Sequence, residues 1–150
     1  MIDILIFIAL TMLQTSNPVN PCTCTVTTQE PTRPDKNMMI LATWTRLRVA
    51  KGTVTDTNHQ PVPNALVEAF TDPEVLTLPS SPEVEARRTK RRRVVACLTD
   101  REGKFCFATL PAGKYELRSS AKGFRMVSQT LEVATKGPVG RQVSVLLVAR

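Results

Sequence analysis

Thr99-Asp100-Arg101-Glu102-Gly103-Lys104-Phe105-Cys106-Phe107, followed by Leu110-Pro111-Ala112-Gly113-Lys114-Tyr115, is the stretch on which the fold turns. Asp100 and Gly103 bracket a short loop between apolar residues that alternate with period two. Pro111-Ala112-Gly113 marks a second corner directly afterwards. Alternation broken by Asp/Gly and Pro/Gly turns is the pattern of β-strands joined by tight connections. Gly103 suits the left-handed conformation that such a loop requires, where a Cβ costs roughly 1 kcal/mol or more. Set as a three-residue loop over Arg101-Glu102-Gly103, the turn makes a hairpin in which Asp100 opposes Lys104 and Cys97 opposes Phe107. Phe105 and Phe107 then share an inward face, and Cys106 lies on the other.

The same alternation extends outward. Tyr115, Leu117, Ser119 and Ala121 alternate with Glu116, Arg118, Ser120 and Lys122, and Gly123-Phe124 opens a further strand to about residue 133. Gln142 to Val148 forms the last strand. Upstream, Val62 to Phe70 reads as a strand with Ala65, Val67 and Ala69 on one face, and the first strand begins near Trp44. The apolar parity shifts across Lys51-Gly52, which predicts a bulge at Gly52. Eleven prolines disfavour long helices, and the 42% apolar content is a core of Val, Leu and Ala with few aromatics. The expected class is all-β: a seven-stranded antiparallel β-sandwich over residues 44–150, Ig-like in layout, with no helix.

Residues 71–91 read as an inserted charged loop, acidic first and then basic. Arg87, Arg88, Lys90, Arg91, Arg92 and Arg93 supply much of the net charge of +7. Such a block is either a solvated surface or a site for an anionic partner, nucleic acid or an acidic surface. It lacks the interleaved aromatics of a single-strand binder. Residues 14–43, rich in Thr, Pro, Asn and Gln, read as a disordered linker. Residues 1–13 hold an apolar run, Ile4 to Leu10, too short for a transmembrane span of roughly 20 residues but suited to a signal peptide. No basic residue precedes it. Two placements stand: secreted or cell envelope if the run is a signal, cytoplasmic if translation starts at Met38 or Met39.

Four cysteines would fit two disulfides in an exported chain. Cys22 and Cys24 are too close for an unstrained mutual bond, and their spacing is not that of a zinc site. The hairpin register separates Cys97 from Cys106, predicting two free thiols, Cys97 inward and Cys106 outward. His59 is the one histidine and lies in a turn, so neither a zinc-peptidase ligand set nor a Ser-His-Asp arrangement can be assembled. No glycine-rich phosphate loop is present. No catalytic, metal or cofactor-binding residue is therefore assigned.

From Gly52 onward the chain resembles the carboxypeptidase regulatory-like domain, a transthyretin-like sandwich of the carbohydrate-binding-like kind. The resemblance rests on Gly52-Thr53-Val54-Thr55-Asp56, Pro61 to Val67, Thr99-Asp100 with Gly103-Lys104-Phe105, Leu110 to Tyr115, and Gly123-Phe124, in that order. It assigns structural roles to Gly52, Asp100, Gly103, Phe105, Phe107, Gly113, Tyr115, Gly123 and Phe124, with the Tyr115 hydroxyl bonded to nearby backbone as at a sandwich corner. It implies a non-catalytic binding or interaction module of the envelope or extracellular space, taking a protein or carbohydrate partner. The alternatives are an anion binder acting through Arg87 to Arg93, and a structural spacer.

Overall fold

The computed structural model describes residues 24–150, so the apolar run at 1–13, Cys22 and the first part of the linker lie outside the described residues. The described residues form an all-β sandwich of nine strands with one short α-helix. In chain order the strands are β1 (Thr25–Val26), β2 (Met39–Leu47), β3 (Ala50–Asp56), β4 (Leu66–Phe70), β5 (Arg93–Leu98), β6 (Lys104–Phe107), β7 (Gly113–Ser120), β8 (Val127–Val133) and β9 (Val143–Leu147). The helix, α1, spans Pro82–Lys90. One sheet has the order β1-β5-β4-β7-β8-β2, the other β6-β3-β9. Two pairs, β2 with β8 and β3 with β9, are parallel, so the sandwich is mixed rather than wholly antiparallel.

The turn at residues 100–104 forms, but it does not make a hairpin. The Lys104 and Glu102 amides donate to Asp100 Oδ1, the Asp100 amide to Lys104 O and the Gly103 amide to Asp100 O. Gly103 has φ +71, and a Cβ there would sit 2.4 Å from Val54 O. Beyond this turn the strands part. β5 joins the six-stranded sheet beside β4, and β6 pairs with β3 in the other sheet. Phe107 therefore opposes Ala50, and Cys97 opposes Val67 and Val26. The turn is a crossing from one sheet to the other.

No bulge occurs at Gly52, which stays in register with Phe105 and Val143. The parity shift lies earlier, at Arg48-Val49, where the chain leaves one sheet and enters the other. Gly52 answers to space: a Cβ there would lie 2.1 Å from Val143 O. The core between the sheets contains Leu47, Val54, Val67, Ala69, Phe105, Phe107, Leu117, Leu131 and Val145. The Phe105 and Phe107 rings are 5.8 Å apart between centroids. Tyr115 joins them, its hydroxyl donating to Pro111 O (2.7 Å), and burial pushes its phenol pKa up. Gly113 and Gly123 lie at the corners beside β7 and before β8, and Phe124 packs partly buried against the core.

Residues 24–38 are not a bare linker. β1 pairs with β5, Cys24 is disulfide-bonded to Cys97, and the following strap runs over the outer face of the six-stranded sheet. The expectation of free thiols is thus overturned: no described cysteine is free, and Cys106, buried on β6, is disulfide-bonded as well. Cys97 does face inward, and Cys97 and Cys106 are not joined to each other. The inserted segment also has structure, a 3-10 turn at Pro73–Leu76 and then α1. Ser81 caps α1 by accepting from the Val84 amide (3.2 Å), and Pro82 opens it. Glu83 and Glu85 lie in its first turn, and Arg87, Arg88 and Lys90 in its last. That order matches the helix dipole at both ends.

Candidate binding cleft

The outer face of β4 and β7 should carry solvated charges by its alternation, yet it is buried. Glu68, Glu116 and Arg118 are all within 1% of full burial. The cause is the strap, which lays Gln29 and Thr32 over this face while α1 and the residues after it close the other side. Arg118 grips Glu116 with two bonds, Nε to Oε2 (3.0 Å) and Nη2 to Oε1 (2.8 Å), and donates from Nη1 to Thr32 O (2.6 Å). Arg91 reaches Glu116 Oε1 from Nη2 (2.6 Å) and Thr71 O from Nε (2.9 Å). Glu68 accepts from Arg93 Nη1 (3.1 Å), from the Thr32 amide (3.1 Å) and from Thr32 Oγ1 (2.5 Å). Arg93 Nη2 also donates to Gln29 O.

Phe70 lies beneath this network, with the Arg118 guanidinium carbon 4.0 Å and that of Arg91 5.5 Å from its ring centroid. Arginine planes over an aromatic face gain from the ring quadrupole, more so when desolvated. Burial opposes ionisation of Glu116, but Arg118 and Arg91 outweigh it and hold the carboxyl below its ordinary value of 4.5. Between strap and helix a cleft of about 560 Å³ opens above Phe70 and Arg118.

The basic block is largely consumed by these contacts. Arg87 forms a two-bond pair with Asp72 (2.9 and 2.5 Å), which lowers the Asp72 pKa, and Arg88 pairs with Glu85 (2.5 Å). Arg91 and Arg93 hold Glu116 and Glu68. Of the block, Lys90 and Arg92 alone have side chains without an ion pair among the described residues. Sequence reasoning named all six residues but could not see their partners, which are up to 25 residues away in the chain.

Further along the same face, Trp44 is 57% exposed, with Lys114 Nζ 4.5 Å from its ring centroid. Trp44 stands on β2, the terminal strand of its sheet, whose residues 39–45 carry no charge and whose register against β8 shifts between Ile40 and Trp44. Among the described residues no three of His, Cys, Asp and Glu gather in a metal-holding group, and no helix is long and apolar enough to cross a membrane.

The carboxypeptidase regulatory-like domain signature matches residues 50–146, well over half of the chain. The chain belongs to the carboxypeptidase regulatory-like domain family. That domain is of a regulatory kind, and here the strap, β1 and β2 lie outside the matched span, so the cleft forms where the family's sandwich meets an N-terminal addition. No curated protein matches the chain. Among solved structures, catechol 1,2-dioxygenase from Acinetobacter sp. ADP1 is 16% identical at a TM-score of 0.42, covering 75% of this chain and 58% of its own. The 3-chlorocatechol 1,2-dioxygenase from Rhodococcus opacus 1CP is 14% identical at 0.41, covering 88% and 74%. Catechol 1,2-dioxygenase from Pseudomonas arvilla C-1 is 11% identical at 0.38, covering 83% and 62%. No function is carried over from these likenesses.

Proposed function

We propose that this carboxypeptidase regulatory-like domain is a non-catalytic interaction module of an oxidising compartment, binding a partner protein along the open edge of β2. The observation that carries the reading is that edge. Residues 39–45 form an uncharged terminal strand flanked by exposed Ile40 and Trp44, with none of the lysines or prolines that usually blunt such an edge. An extended segment of a partner can add there as a further strand. The Cys24–Cys97 disulfide supports the compartment, since such bonds persist outside the reducing cytosol. Catalysis is disfavoured because each buried carboxylate is held by guanidinium groups.

A photo-crosslinking residue placed at Ala42, and as control at Ser144 on the other sheet, tests this in cells that make the chain. A discrete adduct at position 42 alone, with Cys24 and Cys97 unreactive to alkylation until reduced, is the expected result. Equal labelling at both positions, or reactive thiols in the native protein, rejects the reading. One feature favours a carbohydrate partner instead, the exposed ring of Trp44. Trp44 is the single tryptophan, so its emission reports directly on glycan stacking. Of the basic block, Lys90 and Arg92 carry no ion pair among the described residues and are the ones left for nucleic acid or an acidic surface.

A further inference from the structure

The charges buried around Phe70 do not balance. Arg91, Arg93 and Arg118 face Glu68 and Glu116, three guanidiniums to two carboxylates, and none of the five side chains is more than 11% exposed. The remaining donors lean on carbonyls of Gln29, Thr32 and Thr71. Dipoles share a buried cation's charge but do not cancel it. Arg91 spends Nε and Nη2 and makes no bond from Nη1 among the described residues, and it lines the cleft. At the rim, Arg33 and Lys36 are exposed and make neither ion pair nor hydrogen bond among the described residues. Asp35, the one acidic residue of the lining, is paired with Arg150.

Thr32, Arg88 and Arg118 also line the cleft, but each is engaged, with Glu68, Glu85 and Glu116 respectively, and an apolar surface lies beside them. Met38 and Ile40 enter from the strap and β2, Leu76 from the 3-10 turn, and Phe70 forms the floor. The cleft volume lies within the range of small-molecule sites. We propose that this cleft binds an organic carboxylate with an apolar body, the carboxylate meeting Arg91, Arg33 and Lys36 and the body covering Phe70, Leu76 and Ile40. The anion supplies the third negative charge that the buried network lacks. The site borders the β2 edge and shares Ile40 with it, but its charged groups Arg91, Arg33 and Lys36 lie off that strand, and it does not rest on partner binding there.

Calorimetric titration of the full, disulfide-bonded chain with octanoate and with 1-octanol tests the proposal. Octanoate should bind 1:1 and at least about tenfold more tightly than the alcohol of the same length. Arg33→Gln/Lys36→Gln should weaken octanoate about fivefold to tenfold while leaving octanol and the melting midpoint unchanged, because both side chains are solvent-exposed. Equal binding of acid and alcohol, no binding of either at millimolar concentration, or an octanoate affinity indifferent to the double substitution overturns it. A capped tripeptide, acetyl-Val-Leu-Leu, with a free or amidated C-terminus separates two sources of the carboxylate. Tighter binding of the free-terminus peptide than of octanoate assigns a chain terminus, and the reverse order a free acid.

Discussion

Replacing Glu68 by glutamine keeps the volume of the side chain and removes its charge. In the native chain Glu68 is fully buried and accepts from Arg93 and twice from Thr32. The amide presents one NH2 where an oxygen accepted, so a donor meets a donor. Arg93, 11% exposed, loses its one counter-charge among the described residues. Removing one partner of a buried ion pair costs about 3–5 kcal/mol. Arg93 retains Gln29 O, which places the expected loss near the lower bound, about 3 kcal/mol. For a domain of this size that lowers the melting midpoint by about 10 °C. The assay is thermal unfolding by circular dichroism at pH 7 with the disulfides intact. Glu85→Gln breaks an exposed, solvent-screened pair and serves as control, with the melting midpoint expected to stay at that of the parent. Because Thr32 anchors the strap through Glu68, the variant should also be cut faster by trypsin after Lys36. A midpoint within about 3 °C of the parent, with unchanged cleavage, would falsify the reasoning, since it would mean that the network is solvated and the strap undocked.

Three further outcomes are expected. Tyr115→Phe removes the hydrogen bond to Pro111 O and should cost about 1 kcal/mol in denaturant unfolding; an unchanged midpoint refutes the corner role. Cys24→Ser opens a loop of 73 residues and should destabilise by up to about 4 kcal/mol on chain-entropy grounds; a variant as stable as the parent shows that β1 does not need its tether. Glu116 has a carboxyl pKa below its ordinary 4.5 in the folded chain, so the stability it confers is full above pH 4.5 and is lost as pH falls through the folded value. The melting midpoint should hold from pH 7 to about 5 and drop below it, with a shallower drop in Glu116→Gln; identical acid profiles count against the linkage.

What the sequence disclosed and what it hid divide along the range of the interactions. The turn at Asp100–Gly103 is a local matter of side-chain acceptors and a left-handed glycine, and it formed as read. Whether the strands leaving it pair with each other depends on β3 and β4, remote in sequence, and there the hairpin reading failed. The inward set Phe105, Phe107, Tyr115 and Leu117 was legible from period-two alternation. The outward set Glu116 and Arg118 obeys the same alternation but is covered by a strap whose Pro- and Thr-rich composition signals disorder. Cys24 lies 73 residues from Cys97, and nothing near either announces the other. The helix has local signals at both ends and none along its length. Ser81-Pro82-Glu83 followed by Arg87, Arg88 and Lys90 is a capped, dipole-matched helix, but with Val84 its one buried residue it carries no apolar periodicity to announce it.

The two-residue strand β1 has a consequence larger than its length. It lies along β5 at one end of the six-stranded sheet, pinned there by a disulfide, and presents to another chain a described edge just two residues long. A sheet with one accepting edge can add a single strand-pairing partner and must then stop, because two copies meeting edge to edge close a two-fold dimer with nothing left to extend. Removing the segment before Met38 would expose the β5 edge while leaving β2 as it is. The molecule would then carry a head and a tail, and association that had terminated at two could propagate into filaments.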